Sequence, residues 1–217
     1  AINGCEVTGL IHEGGRLVGV EARETGGETF ALRGKAVVNA AGVWVDGLRQ
    51  MDQPGAAPLL SPSQGAHVVL DRDFLPGERA LLVPRTADSR VLFCIPWLGR
   101  TLVGTTDTPR PALVGAILAD PRPLPAELEF LLATAGEVLN RGPRPEDVRA
   151  RFAGLRPLVK AGPGTATSQL SREHLIQRAP SGLITVAGGK WTTYRRMAED
   201  VVDEVLRATG LPWRGSI

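Results

Sequence analysis

The strongest constraint on the fold is an apolar run that ends in two glycines and is followed by an amphipathic helix. The run LITVAGG occupies 183–189, and the helix is predicted over about 192–209. An apolar run of this length between turn residues is typical of a buried strand. The sequence therefore predicts a strand, a glycine turn and the start of a helix in direct succession, as in an α/β unit.

The turn GGKWTT at 188–193 has the chemistry of a site for an anionic or electron-rich ligand. Gly188 and Gly189 lack a Cβ atom, so a ligand can approach the main chain closely. A helix start carries unpaired N–H groups and a partial positive charge, to which Lys190 adds a full charge. The spacing differs from G-x-x-x-x-G-K-[ST], so this is not a phosphate-binding P-loop. An ordinary capped turn explains the same residues, and spacing alone leaves both interpretations open.

The first sixty residues predict a second buried strand and a small antiparallel sheet. KAVVNAAG at 35–42 is apolar and ends in small residues, which indicates a strand buried on both faces of a parallel sheet. A short helix is predicted at 43–51. Segments at 6–13, 17–23 and 28–33 are separated by Gly-Gly pairs, which predicts an antiparallel meander.

A Pro- and Ser-rich stretch at 53–63 marks a boundary, after which short apolar strands follow at close spacing. Such spacing is typical of an antiparallel sheet. The strands are predicted at 65–70, 80–84, 90–97, 101–106, 148–159 and 174–179. The segment at 124–139 has the 3.6-residue apolar spacing of a helix that buries one face. The predicted fold class is mixed α/β (α+β).

Composition excludes several classes of function. The 25 Lys and Arg and 23 Asp and Glu residues are closely mixed and give a net charge of +2, so no nucleic-acid partner is expected. No apolar run reaches the roughly 18 residues that span a bilayer, and no signal peptide is expected. Cys5 and Cys94 share no motif spacing, which favours reduced thiols, and no metal site is predicted.

Three polar side chains are predicted in apolar surroundings. They are His67 in GAHVVL, Arg156 in AGLRPL and Arg172 in LSREHLI. A half-buried guanidinium needs an anionic partner, because burial of an isolated charge is costly. A ligand or a carboxylate of the protein can be that partner, so each arginine alone fits a structural role as well as a binding role.

Six segments carry a family resemblance and cover most of residues 4–209. They are VVNAAGVWVD, GAHVVL, VLFCIPWLGRTLVGTTDTP, AGLRPLV, LSREHLI and GGKWTTYRRMAED. In this order they resemble the FAD-dependent glycerol-3-phosphate dehydrogenases and oxidases of the D-amino-acid-oxidase-like flavoprotein superfamily. The segments IPW…GTTD and GGKxTTYR are specific, whereas NAAG is shared across the superfamily.

The resemblance implies a partial FAD-binding, Rossmann-like domain with an antiparallel-sheet substrate domain. The FAD-binding domain would comprise 1–60 and 179–217, and the substrate-binding domain 61–178. In such enzymes the glycine turn and helix start face the flavin, where N–H groups would stabilise negative charge near N1 of the reduced ring. The implied FAD contacts are Val7, through its backbone toward the adenine, and Ala41, Gly42, Gly188, Gly189, Lys190, Trp191, Thr192 and Thr193.

The resemblance also implies a reaction. Arg156, Arg172 and Lys190 would hold the phosphate of sn-glycerol 3-phosphate, for which forked guanidinium donors are well suited. Hydride would leave C2 for flavin N5 while the C2 hydroxyl loses its proton, giving dihydroxyacetone phosphate. His67 is the preferred general base, since a pKa near 6.5 suits the task, and Arg156 and Lys190 complete the catalytic set.

The sequence departs from the family pattern in several places. Val43 follows NAAG where proline is usual, and Gln64 precedes GAH where lysine is common. The glycine-rich G-x-G-x-x-G turn that holds the FAD pyrophosphate is absent, as is the family's C-terminal helical domain. The chain is therefore expected to be a fragment that neither holds FAD tightly nor turns over by itself.

Alternatives remain open within and outside the family. An oxidase would pass electrons to oxygen instead of a quinone. An amine or amino-acid oxidase would use the arginines for a carboxylate, although IPW…GTTD counts against it. A non-catalytic binding module would keep the fold without flavin.

The partners that the resemblance implies are glycerol 3-phosphate, a quinone acceptor, further copies of the chain in a homo-oligomer, and a membrane surface reached through segments outside this chain. The expected location is the cytoplasm, including attachment at the cytoplasmic face of the membrane.

Overall fold

The computed structural model describes residues 1–84, 86, 90–110, 119–160, 173–213 and 215, and these divide into two units. The first unit comprises the described parts of Ala1–Leu60, Pro157–Gly164 and Leu170–Ile217. The second comprises the described parts of Ser61–Arg156.

Strands and α-helices are numbered here in chain order. The strands are β1 (Cys5–Glu13), β2 (Arg16–Glu24), β3 (Thr29–Arg33), β4 (Val38–Asn39), β5 (Ser63–Asp71), β6 (Leu81–Val83), β7 (Leu92–Trp97), β8 (Arg100–Gly104), β9 (Thr108–Pro109), β10 (Ala150–Arg156), β11 (His174–Arg178) and β12 (Ile184–Gly188). The α-helices are α1 (Val45–Asp52), α2 (Pro125–Gly136) and α3 (Tyr194–Thr209). Short 3-10 turns occupy Gly42–Trp44, Arg72–Phe74, Pro145–Asp147 and Trp191–Thr193.

The first unit contains two three-stranded sheets. One is the antiparallel meander β1-β2-β3, in which Gly14 and Gly15 form the first turn with φ of 57° and 78°. A tight hairpin needs these left-handed backbone angles, which glycine adopts without a steric cost. The other sheet has the order β11-β12-β4, with β12 antiparallel to β11 and parallel to β4. The predicted meander and the predicted α/β succession are both present.

The second unit is an antiparallel sheet with the order β10-β5-β8-β7-β6, to which β9 adds by pairing with β5. Helix α2 covers one face, as its apolar spacing predicts. Leu131 and Ala135 of α2 are fully buried against residues of β5 and β8. The core consists of Ala66, Val68, Leu70, Phe74, Leu75, Leu92, Cys94, Val103, Leu131, Ala135 and Leu139.

The two cysteines carry free thiols. Cys94 lies in the core of the second unit, where burial raises the pKa of its thiol to about 11. Because the thiolate is the reactive form, Cys94 acts as a small apolar residue of the core.

Two sequence-based expectations about packing are wrong for the described residues. Strand β4 is only two residues long and Val38 is 38% exposed, because β12 is the one described strand that pairs with β4. Helix α3 has no buried residue, although its apolar stripe predicted one buried face; its Tyr194 and Val202 are exposed.

The predicted domain boundary at 178/179 also differs from the observed division. Strand β11 pairs with β12, so residues 174–178 belong with the first unit. Whether the two units are a FAD-binding and a substrate-binding domain stays a prediction.

Candidate functional site

Side-chain alternation along β5 gives the sheet of the second unit two different faces. Ala66, Val68 and Leu70 point toward α2 and are fully buried. The intervening residues point the other way, since successive side chains of a strand alternate between faces. We call this other side the open sheet face; one row across it consists of Leu82, Phe93, Gly104, His67 and Phe152.

His67 is held between its two neighbours in this row. Its ring stacks on the ring of Phe152, with the centroids 5.0 Å apart and the planes 8° apart. On the other side it covers Gly104, where a Cβ atom would lie 2.6 Å from His67 Nε2. Only glycine at position 104 leaves space for the imidazole, so the two neighbours fix the plane of the ring.

The electrostatic surroundings of His67 favour the neutral imidazole. Burial and, to a lesser extent, the positive charge of Arg156 lower the pKa of His67. Its Nδ1 atom is buried and has no hydrogen-bond partner among the described residues. A buried imidazole nitrogen without a partner is costly, and burial also keeps Nδ1 away from solvent.

Arg156, at the end of β10, lies on the same open sheet face. Its guanidinium donates from Nη2 to Thr105 Oγ1 at 3.0 Å and from Nη1 to the carbonyl of Thr106 at 3.2 Å. It lies directly over Gly65, where a Cβ atom would be 2.8 Å from Arg156 Cζ. The structure places His67 and Arg156 on one sheet face. The contacts of Arg156 with Gly65, Thr105 and Thr106 were not expected from the sequence.

A carboxylate of the protein also contacts Arg156. Asp107 Oδ1 lies 3.6 Å from Arg156 Nη1 and accepts a short hydrogen bond from the Ser63 hydroxyl. The anionic partner that a half-buried guanidinium requires is thus partly supplied by the chain itself. About a third (32%) of the Arg156 side chain remains exposed.

In the first unit, two predicted FAD-contact segments lie at one sheet edge. β4 and β12 run parallel with Thr185 opposite Asn39, so Ala41 and Gly42 follow β4 at the end where Gly188 closes β12. Ala41 packs against the cluster that contains Ala187. Gly42 has φ of 58°, and no atom lies within 4 Å of the position where a Cβ would stand.

The two glycines of the turn are required by packing inside the chain. Both have positive φ, 76° at Gly188 and 75° at Gly189. A Cβ at Gly188 would lie 2.7 Å from the carbonyl oxygen of Glu173, and one at Gly189 would collide with the side chain of Met197. The structural interpretation of GGK is therefore sufficient to explain these glycines, and a ligand is not needed for it.

The helix start differs from its prediction. Residues Trp191–Thr193 form a 3-10 turn, and α3 begins only at Tyr194 without a side-chain cap from Thr193. The Thr193 hydroxyl instead accepts from the backbone N–H of Lys190 at 3.2 Å. Trp191 is 86% exposed and stacks on Tyr194; Lys190, Thr192 and Thr193 are exposed as well.

Two further predicted site residues are Val7 and Arg172. Val7 lies in β1, in the meander and not in the sheet that carries the glycine turn. Arg172 lies outside the described residues. The convergence of Arg156, Arg172 and Lys190 on one phosphate, like the roles of the FAD contacts, stays a prediction.

Sequence reasoning missed four residues that build the site around His67 and Arg156. They are Gly104, Thr105, Asp107 and Phe152. The first three belong to the GTTD segment, and its specificity to the family was the sequence feature that could have identified them. Only the sheet register shows on which face of the sheet each of these residues lies. Phe152 carries no motif; it is opposite His67 in the pairing of β10 with β5.

The chain is similar in sequence to known proteins. Residues 1–199 match the family described as FAD dependent oxidoreductase (DAO). The mitochondrial glycerol-3-phosphate dehydrogenase of Arabidopsis thaliana is 39% identical over 210 residues, 95% of this chain and 33% of the relative. The mitochondrial glycerol-3-phosphate dehydrogenase of Mus musculus is 40% identical over 183 residues, 83% of this chain and 24% of the relative. The chain thus spans a third or less of the length of these relatives.

Solved structures agree with the fold. The glycerol-3-phosphate dehydrogenase of Bacillus halodurans, complexed with FAD, matches with a TM-score of 0.83 and 35% identity over 100% of this chain and 41% of that chain. The L-α-glycerophosphate oxidase of Mycoplasma pneumoniae matches with a TM-score of 0.60 at 21% identity over 96% of this chain and 50% of that chain, which shows the fold alone. The predicted fold class is confirmed.

The relatives correct one prediction. The cytoplasmic location expected from the sequence is wrong on this comparison, because the relatives from Arabidopsis thaliana and Mus musculus are mitochondrial by name. Separately, none of the helices in the described part of the chain has both the length and the apolar character to cross a membrane.

Gly188→Ala should destabilise the protein more than Gly15→Ala. Both positions have a similar positive φ, which costs an L-residue about 1–2 kcal/mol, but no atom of the described residues lies within 4 Å of a Cβ at Gly15, whereas the backbone carbonyl oxygen of Glu173 is 2.7 Å from a Cβ at Gly188. The extra overpacking is expected to cost about 1–3 kcal/mol. Urea unfolding of the two variants measures the difference, and equal losses would mean that the backbone at Glu173 moves aside freely.

Proposed function

The chain belongs to the FAD dependent oxidoreductase family, and we propose that the whole protein oxidises sn-glycerol 3-phosphate to dihydroxyacetone phosphate with FAD as cofactor. The observation that carries this proposal is the placement of His67 and Arg156 on one open sheet face, a proton acceptor beside a phosphate-binding cation. The names of the relatives near 40% identity support the same substrate. Oxidation removes a hydride from C2 and a proton from the C2 hydroxyl.

The proposed FAD contacts come from the first unit. Gly42 fits this role best, since its Cβ position is open and its backbone is at the end of β4. The exposed Trp191, Thr192 and Lys190 present an aromatic ring, a hydroxyl and a cation at the turn after β12. FAD, when bound, supplies the acceptor for the hydride.

His67 has the properties of the general base in this proposal. Its pKa is lowered, so the imidazole is neutral near pH 7 and can accept a proton. A neutral imidazole has one ring nitrogen that can accept the proton of a substrate hydroxyl. Stacking on Phe152 and contact with Gly104 hold the ring in one orientation, which a proton acceptor needs for efficient transfer.

Arg156 is proposed to bind the substrate phosphate. Thr105 and Asp107 contact the guanidinium, and a planar, forked cation matches the geometry of the oxygens of a phosphate. Arg172 and Lys190 are proposed to add to this charge.

A quinone is the proposed electron acceptor. The relatives that share 35–40% identity with the chain are named dehydrogenases, whereas the oxidase matches at 21%. A homo-oligomeric state stays a prediction from the resemblance.

Flavin reduction tests the proposal directly. The purified full-length protein should be yellow and should bleach without oxygen on addition of glycerol 3-phosphate, but not of glycerol or glycine, because the phosphate is the group that Arg156 binds. A short-chain ubiquinone should restore the colour faster than air. Bleaching by glycine alone would instead establish an amino-acid oxidase, and a colourless protein a non-catalytic module.

His67→Asn should lower kcat of the full-length enzyme by about 10²–10⁴-fold, the usual contribution of a general base. In the wild type, kcat/KM should fall as the pH decreases through the lowered pKa of His67, because the protonated imidazole cannot accept a proton. This decrease of kcat/KM on the acidic side is expected below pH 6.5, the ordinary pKa of a histidine. It should be absent in His67→Asn.

The matched control is His12→Asn, which changes a histidine that pairs with Asp52 in the first unit. Steady-state kinetics over pH 5–9 is the measurement. If His67→Asn retains the kcat and pH profile of His12→Asn, His67 is not the base.

Arg156→Ala should raise KM for glycerol 3-phosphate about 10- to 100-fold with a smaller change in kcat, since charge-assisted hydrogen bonds to a ligand contribute about 1.5–3 kcal/mol. The decrease of kcat/KM on the acidic side should also move to higher pH, because the positive charge that lowers the pKa of His67 is removed. Arg151→Ala, an exposed position in the same strand on the opposite face, is the control. Equal KM values in the two variants would contradict the phosphate role of Arg156.

A further inference from the structure

Glu127 is a buried carboxylate for which the proposed reaction gives no role. It is the third residue of α2 and only 4% exposed. No lysine or arginine forms an ion pair with it in the described ranges. A buried carboxylate without a cation is costly unless hydrogen bonds replace its hydration, so its surroundings must provide donors.

Four donors surround the Glu127 carboxylate. Thr108 Oγ1 donates at 2.6 Å and Thr106 Oγ1 at 2.8 Å, both to Oε1. Gln64 Nε2 donates at 2.7 Å and the backbone N–H of Leu124 at 2.8 Å, both to Oε2. Burial by itself raises the pKa of Glu127, but these hydrogen bonds, that of Thr108 first, outweigh it and lower the pKa overall. The group is therefore an anion at neutral pH.

Two of these donors, Gln64 and Thr108, belong to strands β5 and β9, and Thr106 lies in the segment that joins β8 to β9. Gln64 precedes Gly65, over which the Arg156 guanidinium lies. Thr106 stands between Thr105 and Asp107, the two side chains that contact Arg156. Adjacent residues of an extended chain point to opposite faces. Glu127 therefore contacts this segment of backbone from the helix side, and Arg156 contacts it from the open sheet face.

Residues 105–107 depend on these contacts for their position. They join β8 to β9 and lie outside both strands, so the regular ladder with β5 does not fix them. The Thr106 hydroxyl donates to Glu127 and accepts from the backbone N–H of Ala66 at 2.8 Å. One hydroxyl thus fastens this segment to both α2 and β5.

We propose that Glu127 is a positioning residue for Arg156, acting through Thr106 on the segment 105–107. The inference rests on the proposed function, in which Arg156 binds the substrate phosphate. Loss of the carboxylate charge releases Thr106, the segment shifts, and the guanidinium loses its orientation toward the ligand.

Glu127 also caps α2 through the N–H of Leu124, and a cap alone would affect only stability. Two variants separate these roles. Glu127→Gln keeps the size of the side chain but turns an NH2 group toward a donor. Thr106→Val removes the hydroxyl link and leaves the cap in place. Thr134→Val makes the same change at a buried position of α2 outside this network and is the matched control.

Kinetics of the full-length enzyme with glycerol 3-phosphate and a soluble electron acceptor form the first test. Glu127→Gln and Thr106→Val should each raise KM about tenfold while kcat changes less, because a displaced binding group mainly weakens substrate binding. Thr134→Val should leave KM unchanged. If Glu127→Gln lowers Tm without altering KM, and Thr106→Val also keeps the wild-type KM, the role is capping alone and the inference is overturned.

Crystal structures of the wild type and of both variants form the second test, which does not depend on the reaction. The contact between Arg156 Nη2 and Thr105 Oγ1, 3.0 Å here, should be lost in the variants. If the wild type fails to oxidise glycerol 3-phosphate, the proposed function is wrong, but the contact between Arg156 and Thr105 still tests the role of Glu127. Retention of this contact in Thr106→Val overturns that role. If Glu127→Gln does not fold, Thr106→Val by itself tests the inference.

Discussion

The alternation of side chains along β5 is the constraint on which the second unit depends. One set of residues, Ala66, Val68 and Leu70, closes the core against α2, so the other set must face away. A shift of the register by one residue would exchange the two sets, burying His67 and exposing the core. The burial of three apolar side chains thus also determines where the imidazole lies, although they never touch a ligand.

The GTTDT segment continues this division between two faces. Thr106 and Thr108 point to the helix side and satisfy a buried carboxylate. Thr105 and Asp107 point to the open side and contact the guanidinium of Arg156. Gly104 makes room for the ring of His67. Each of these five consecutive residues therefore has a defined contact on one of the two faces.

The glycine turn shows why a motif can be correctly located and still be explained in two ways. Gly188 and Gly189 looked suited to a close ligand, and the turn does lie between β12 and α3. Their Cβ positions are nevertheless occupied by Glu173 and Met197 of the same chain. Gly42 is the opposite case, since it was a weak signal in the sequence but leaves open space beside the main chain.

Local patterns predicted most elements, because alternation, helical spacing and Gly-Gly turns are properties of neighbouring residues. The meander, the antiparallel sheet and the amphipathic α2 all followed from them. The burial of β4 and α3 did not, since an apolar stripe shows which side can be buried but not whether another element covers it. The expected buried faces of Val38 and of α3 failed for this reason.

The sequence by itself determined the elements, the family resemblance and the identity of His67 and Arg156 as candidates. Only the tertiary structure decided that they share one sheet face, that Phe152 and Gly104 hold the imidazole, and that Glu127 lies behind Thr106. These contacts join residues 21 to 85 positions apart, and the packing of strands and of a helix across a sheet, not local spacing, brings such residues together.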